Sequence, residues 1–343
     1  LIAVFTFCLL TGWLILLPDE YRLLGKHIAA SAGFVQNLNL WAESGYFDQS
    51  SETKPLLHLW SLGIEEQFYI LWPLLIGIGF RLRLRFTHFS VGLLLISFLW
   101  NIKELQTQQI VHFYSPLTRF WELLAGAVLV QCQLRPSSSL AWASKFGSAT
   151  QYANGLSVVG PALIVGALFT IDRNVPMPGY WAALPVLGVC LSLIAGDKAV
   201  VNRLLLASRP FVWIGLISYP LYLWHWPLLT MMRIITKEAP SVAVKIVIFC
   251  LSLILAFLTY QLIEKPIRYR IKNKARIASV LLIVMLVLGG LSYALYESNG
   301  MFERAVAVEN EDHGDYLAND SNPEAECEIT DASLQYLATF CKQ

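Results

Sequence analysis

The chain has 343 residues, 56% of them hydrophobic and only 14% charged, with a net charge of +1 and a mean hydropathy of +0.55. A soluble chain carries about a quarter charged residues, so this composition excludes a soluble multidomain protein. The near-zero net charge also excludes nucleic-acid binding driven by an overall basic surface. What remains is an all-α fold, a polytopic transmembrane helix bundle with the lipid bilayer as its surroundings.

In chain order, apolar spans fall at 1–17, 60–80, 88–101, 116–132, 155–171, 180–195, 211–232, 242–263 and 277–296, about nine in all. Those at 88–101 and 180–195 fall short of the roughly 20 residues that cross hydrocarbon. Residues 23–41 are predicted as one more polar helical stretch, interfacial or packed within the bundle. The opening run has no basic n-region and no small-residue cleavage site, so it does not look like a signal peptide. With residue 1 on the cytoplasmic side and each span reversing sides, the inner loops hold 14 Lys and Arg and the outer loops 7. That asymmetry follows the positive-inside rule.

From Glu297 onward the chain holds eleven Asp and Glu against Arg304 and Lys342. The same rule places this tail outside the cytoplasm. Residues 297–326 are expected to be an acidic linker and 327–343 the start of a further extracytoplasmic domain. Cys327 and Cys341 can pair there. Cys8, Cys132, Cys190 and Cys250 lie in or beside apolar spans, where a thiol acts as a small hydrophobe. No CxxC or His-x-His pair suggests a metal.

Four segments carry chemistry. In His58-Leu59-Trp60-Ser61-Leu62-Gly63-Ile64-Glu65-Glu66-Gln67-Phe68-Tyr69, ionisable groups crowd the mouth of a span, where they are costly unless they face a cavity. Ser61, Glu65 and Tyr69 are four apart and share a helix face. His58 can act as a base near neutral pH. The structural alternative is an ordinary helix start with Ser61 as its N-cap. The second segment, Tyr114 to Gly126, places Arg119 and Glu122 three apart, either as a salt bridge or with Arg119 holding an anionic group. The third, Ile217 to Pro227, sets Ser218, Tyr222 and His225 on one face, with Pro220 and Pro227 breaking or kinking the span. An interfacial aromatic belt is the alternative there. The fourth, Tyr260 to Arg268, is explained by snorkelling basic residues, with Glu264 in a local ion pair to Lys265 or Arg268.

Taken in order, these segments resemble the acyltransferase family 3 of integral membrane proteins. The matching stretches are His58–Tyr69, Arg119–Gly126, Ser218–Pro227 and Glu264–Arg268, and the resemblance covers about residues 1–296. It implies an enzyme, an O-acyltransferase moving an acyl group, usually acetyl, to a hydroxyl of a surface glycan or its lipid-linked precursor, such as O-antigen or peptidoglycan. The implied donor is cytoplasmic acyl-CoA, with no bound cofactor. The implied location is a bacterial inner membrane. By this resemblance His58, Ser61, Glu65, Glu66 and Tyr69 line the acyl-transfer cavity as its catalytic candidates. Arg119 and Glu122 position CoA phosphates or brace that cavity, and Ser218, Tyr222 and His225 shape the acceptor path. Family members begin with two further helices carrying a basic residue and, about ten residues on, a histidine. The chain is therefore expected to be truncated at both ends, its tail being the lead-in to an SGNH-type domain.

A transporter or flippase of glycans or small metabolites also explains polar groups within spans. A non-catalytic membrane sensor or assembly partner, with the acidic tail as its binding element, is the third reading.

Overall fold

Long apolar runs fold as helices because in hydrocarbon each backbone N–H and C=O must find its partner within its own segment. In a computed structural model, residues 1–44, 51–104, 113–133, 149–172, 175, 177–237, 239–269, 271 and 273–301 are described. Among them the regular structure is entirely helical. The first helices are α1 (Ile2–Ile15), α2 (Pro18–Ala32) and α3 (Gln36–Glu43). Next come α4 (Trp60–Arg81), α5 (Phe86–Glu104), α6 (Phe120–Gln133), α7 (Ala149–Thr170) and α8 (Ala183–Ala195). The last are α9 (Arg209–Thr236), α10 (Val242–Thr259), α11 (Lys265–Tyr269) and α12 (Lys274–Glu297).

Each of the nine expected spans is a helix. Among the described residues four stretches are long and apolar enough to cross a membrane, Phe86–Lys103, Thr150–Thr170, Val242–Tyr269 and Lys274–Glu297. The first of these extends one of the two spans expected to be short. The chain is an all-α membrane protein. The stretch expected as one helix at 23–41 is two. Pro18 opens α2 early, and Glu20 accepts a hydrogen bond from the Leu17 amide at 3.0 Å. Gly33 ends it, and Phe34 takes a left-handed φ of 55° before α3 begins. Residues 302–326 of the expected linker, the 327–343 segment and the Cys327–Cys341 pair lie outside the described residues.

The main core joins α1, α2, the start of α4 and the second half of α9 through Phe5, Cys8, Leu24, Leu59, Leu62 and Leu223. Two pairs of helices pack through small residues. A Cβ on Gly188 would stand 2.7 Å from the Gly160 carbonyl, so α7 and α8 cross at backbone contact. A Cβ on Gly25 would stand 2.6 Å from the Ser292 carbonyl, which brings α12 against α2. The fourth motif is structural: Arg268 pairs with Glu264 at 3.5 Å.

Candidate active site

Proline sets up the start of α4. Pro55 keeps Lys54 extended, a 3₁₀ turn covers Leu57–Leu59, and α4 begins at Trp60. Leu56 and Leu59 anchor this turn in the core, which presents His58 to α9. Ser61 lies inside the helix and makes no N-cap bond; Leu59 holds the cap position, without a side-chain bond. On the facing side, α9 runs unbroken through Pro220 and Pro227. Because proline has no N–H, Pro227 leaves the Leu223 carbonyl without its helical donor. The His58 ring lies against that backbone.

Tyr222 donates its phenol proton to the His58 carbonyl. With that proton committed, the 3.0 Å contact between the Ser61 and Tyr222 hydroxyls requires Ser61 to donate. The His58 ring centre is 5.0 Å from the Tyr222 ring and 5.8 Å from that of His225. Nδ1 of His225 lies 3.1 Å from the Leu221 carbonyl. A carbonyl only accepts, so Nδ1 carries the proton and Nε2 of the neutral ring keeps its lone pair. Both His58 ring nitrogens are buried without a hydrogen bond of good geometry. Burial, reinforced by His225 and opposed by the Leu223 backbone, pulls the His58 imidazole down to about 3. His58 is therefore neutral at working pH and a weak base.

Ser61 also lines a cavity of about 90 Å³ with Trp60, Ile64, Glu65, Arg119, Glu122 and Leu123. This joins the first motif to the second. Arg119 pairs with Glu122 at 3.0 Å, as the structural alternative required. Its guanidinium also lies over the Trp60 ring, 5.2 Å from the centroid, and 4.9 Å from that of Phe113. Its buried Nε makes no hydrogen bond. One carboxylate and two rings thus fix the cation at the cavity wall.

Three expected site residues stand apart. Tyr69, 57% exposed, lies two turns beyond Ser61 on the outer surface of α4. Ser218 is exposed and its hydroxyl donates to the Gly215 carbonyl of its own helix at 2.9 Å. Glu66 is half-buried and is not part of the cavity lining.

A second polar cluster went unread in the sequence. Glu43 receives Lys26 at 2.8 Å, His27 at 2.9 Å and Lys54 at 3.2 Å. His27 and Lys54 are only 2% and 4% exposed. Burial raises the Glu43 carboxyl, but the hydrogen bonds and charges of His27 and Lys26 outweigh it and hold it well below the ordinary carboxylate range. Nearby, the Gln67 amide donates to the Phe34 carbonyl and to Asn37 Oδ1, both at 2.8 Å. These bonds fasten α4 to the α2–α3 corner. The available signal was His27 on the apolar face of α2 together with Tyr21, Leu24 and Ile28. A buried histidine on such a face needs a partner.

Comparison with known proteins identifies the family of the chain. An acyltransferase domain family matches residues 1–261. YrhL of Bacillus subtilis is 27% identical over 323 residues, 82% of this chain and 49% of that protein. The peptidoglycan O-acetyltransferase OatA of Listeria monocytogenes is 29% identical over 255 residues, 70% of this chain and 40% of that protein. The O-acetyltransferase OatA of Staphylococcus aureus is 27% identical over 309 residues, 83% of this chain and 50% of that protein. The chain spans about half the length of these relatives. No solved structure matches it. The family match runs from the first residue of the chain through all the segments that build the cavity and the histidine pair, and the chain belongs to the acyltransferase 3 family.

Proposed function

We propose that the protein is a membrane O-acyltransferase that moves an acyl group, acetyl by analogy with its relatives, from acyl-CoA to a hydroxyl of an extracytoplasmic glycan such as peptidoglycan. The observation that carries this reading is Ser61, which links the Tyr222–His58–His225 cluster to a cavity walled by Glu65, Glu122 and Arg119. Two relatives named as O-acetyltransferases, one of them for peptidoglycan, support the acetyl group and the glycan acceptor. The distribution of Lys and Arg supports an extracytoplasmic tail.

His225 is the better base of the two histidines, because its Nδ1 proton is committed to Leu221 and its Nε2 is free to accept. It takes the proton of the acceptor hydroxyl as the oxygen attacks the thioester carbonyl and a C–O bond forms. The Ser61 hydroxyl, oriented by Tyr222, turns its proton from Tyr222 to the resulting oxyanion. Collapse breaks the C–S bond, and the imidazolium returns its proton to the departing thiolate. Arg119 holds an anionic part of the donor, and Glu65 accepts hydrogen bonds from acceptor hydroxyls.

The test is transfer of label from acetyl-CoA to cell-wall glycan in membrane vesicles carrying the full-length protein. Label on the glycan with wild type, and none with His225→Gln, is the expected result. Glycan translocation without acetyl-CoA-dependent product would replace this reading with transport.

A further inference from the structure

Residues 52–58 run antiparallel to α9 and are held by three side chains from one of its faces. Arg233 pairs with Glu52 at 2.9 Å. The Trp226 indole N–H donates to the Lys54 carbonyl at 2.9 Å. Tyr222 donates to the His58 carbonyl. Residues 222, 226 and 233 fall on one helical face, and the four-residue step from 222 to 226 matches the step from 58 to 54. The segment is also held from the opposite side. The Lys54 ammonium, buried, reaches Glu43 at 3.2 Å, and Glu43 is itself held by Lys26 and His27 of α2. Lys54 is thus gripped at both ends, its carbonyl by α9 and its ammonium by the α2–α3 corner.

We infer that the Glu43–Lys54–Trp226 clasp is a positioning device for the transfer reaction, setting the register at which Ser61 and His58 meet Tyr222 and His225. The inference rests on the catalytic reading proposed above. None of the three residues lines the cavity, and their effect passes through the 54–61 segment. A slip of about 1 Å in that segment moves Ser61 out of reach of Tyr222, and misplacement on this scale costs as much as a hundredfold in rate. A single carboxylate shared by two lysines and a histidine resists such a slip, because moving Lys54 would strand a buried charge.

The test uses the full-length protein in vesicles. Trp226→Phe removes the indole N–H together with the pyrrole half of the ring, and keeps an aromatic side chain in place. It is expected to lower kcat about tenfold or more, with KM for acetyl-CoA and protein level within error of wild type and the thermal midpoint lowered by only a few degrees. In a Tyr222→Phe background the same change should cost less than about threefold, because the geometry it protects is already lost. Lys54→Arg should restore part of the rate lost in Lys54→Met. The paired variant Glu43→Gln/Lys54→Met, which removes both charges, should fold and remain slow. Full activity in Trp226→Phe, or an activity loss matched by loss of folded protein, overturns the clasp. Full activity in His225→Gln overturns the catalytic reading instead, so the two failures are distinguishable.

Discussion

Ser61 and Tyr222 share a hydrogen bond at 3.0 Å, although 161 residues separate them in the chain. Ser61 belongs to the cavity and Tyr222 to the histidine pair, so this contact is where the two halves of the candidate site meet. Ser61→Ala and Tyr222→Phe are each expected to lower kcat by about 10²- to 10³-fold. The double variant should lose little more than the worse single one, since the two hydroxyls act as a unit. Steady-state acetyl transfer in vesicles measures both. Stability should fall by only about 1 kcal/mol per hydroxyl.

Arg119 is held by geometry as well as charge, with Glu122 at 3.0 Å and its guanidinium over the Trp60 and Phe113 rings. Lysine supplies the charge but neither the plane nor the fork. Arg119→Lys should therefore raise KM for acetyl-CoA about tenfold while kcat changes less. Arg119→Ala should also destabilise the fold by about 1–3 kcal/mol, because Glu122 is left without its cation. Donor titrations and thermal unfolding in detergent separate the two effects.

Glu43 gives the fold an acid-sensitive element. Its carboxyl is held below the ordinary value of 4.5, so the folded state binds that proton less readily than the unfolded chain does. The stabilisation is present in full above about pH 4.5 and is lost progressively as pH falls below it. Thermal midpoints measured from pH 7 to pH 3 should fall steeply for wild type at the acid end. Glu43→Gln should start lower at pH 7 and lose less over that same interval. Parallel curves would show that the ion cluster carries no pH-dependent stability.

The α7–α8 crossing tolerates no side chain at its centre. Gly188→Val would set a methyl-bearing carbon 2.7 Å from the Gly160 carbonyl and equally close to Ile164. Overpacking of this kind costs about 1–3 kcal/mol. A lowered thermal midpoint, with acetyl transfer per folded molecule unchanged, is the expected result, because neither helix lines the cavity.

The spans were legible because apolar length and helix are one requirement in lipid. The break at Gly33–Phe34 was not, since a bulky residue with positive φ has no local signal. Shared helix faces were legible over one turn and faded over two. A four-residue step drifts by about 40°, so Ser61 and Glu65 reach the cavity while Tyr69, a second step on, turns outward. Ser218 failed differently: its hydroxyl found a carbonyl in its own helix, a competition open to any serine in a span. The meeting of the first three motifs was legible only as an expectation from the resemblance, because no spacing encodes a contact across 161 residues. Glu43, His27 and Lys54 carry no motif, and their burial follows from packing alone.

The seam between α2 and α12 reaches past the family match, which stops at residue 261. Near it, Arg22 donates to the Tyr296 carbonyl at 3.3 Å and lies over the Tyr296 ring, 4.7 Å from its centroid. Lys26, a partner of Glu43, stands 5.9 Å from the same ring. The C-terminal end of α12 is therefore moored to the helix that carries Lys26 and His27. A displacement of that end would reach the ion cluster through α2, and through Lys54 the turn that presents His58.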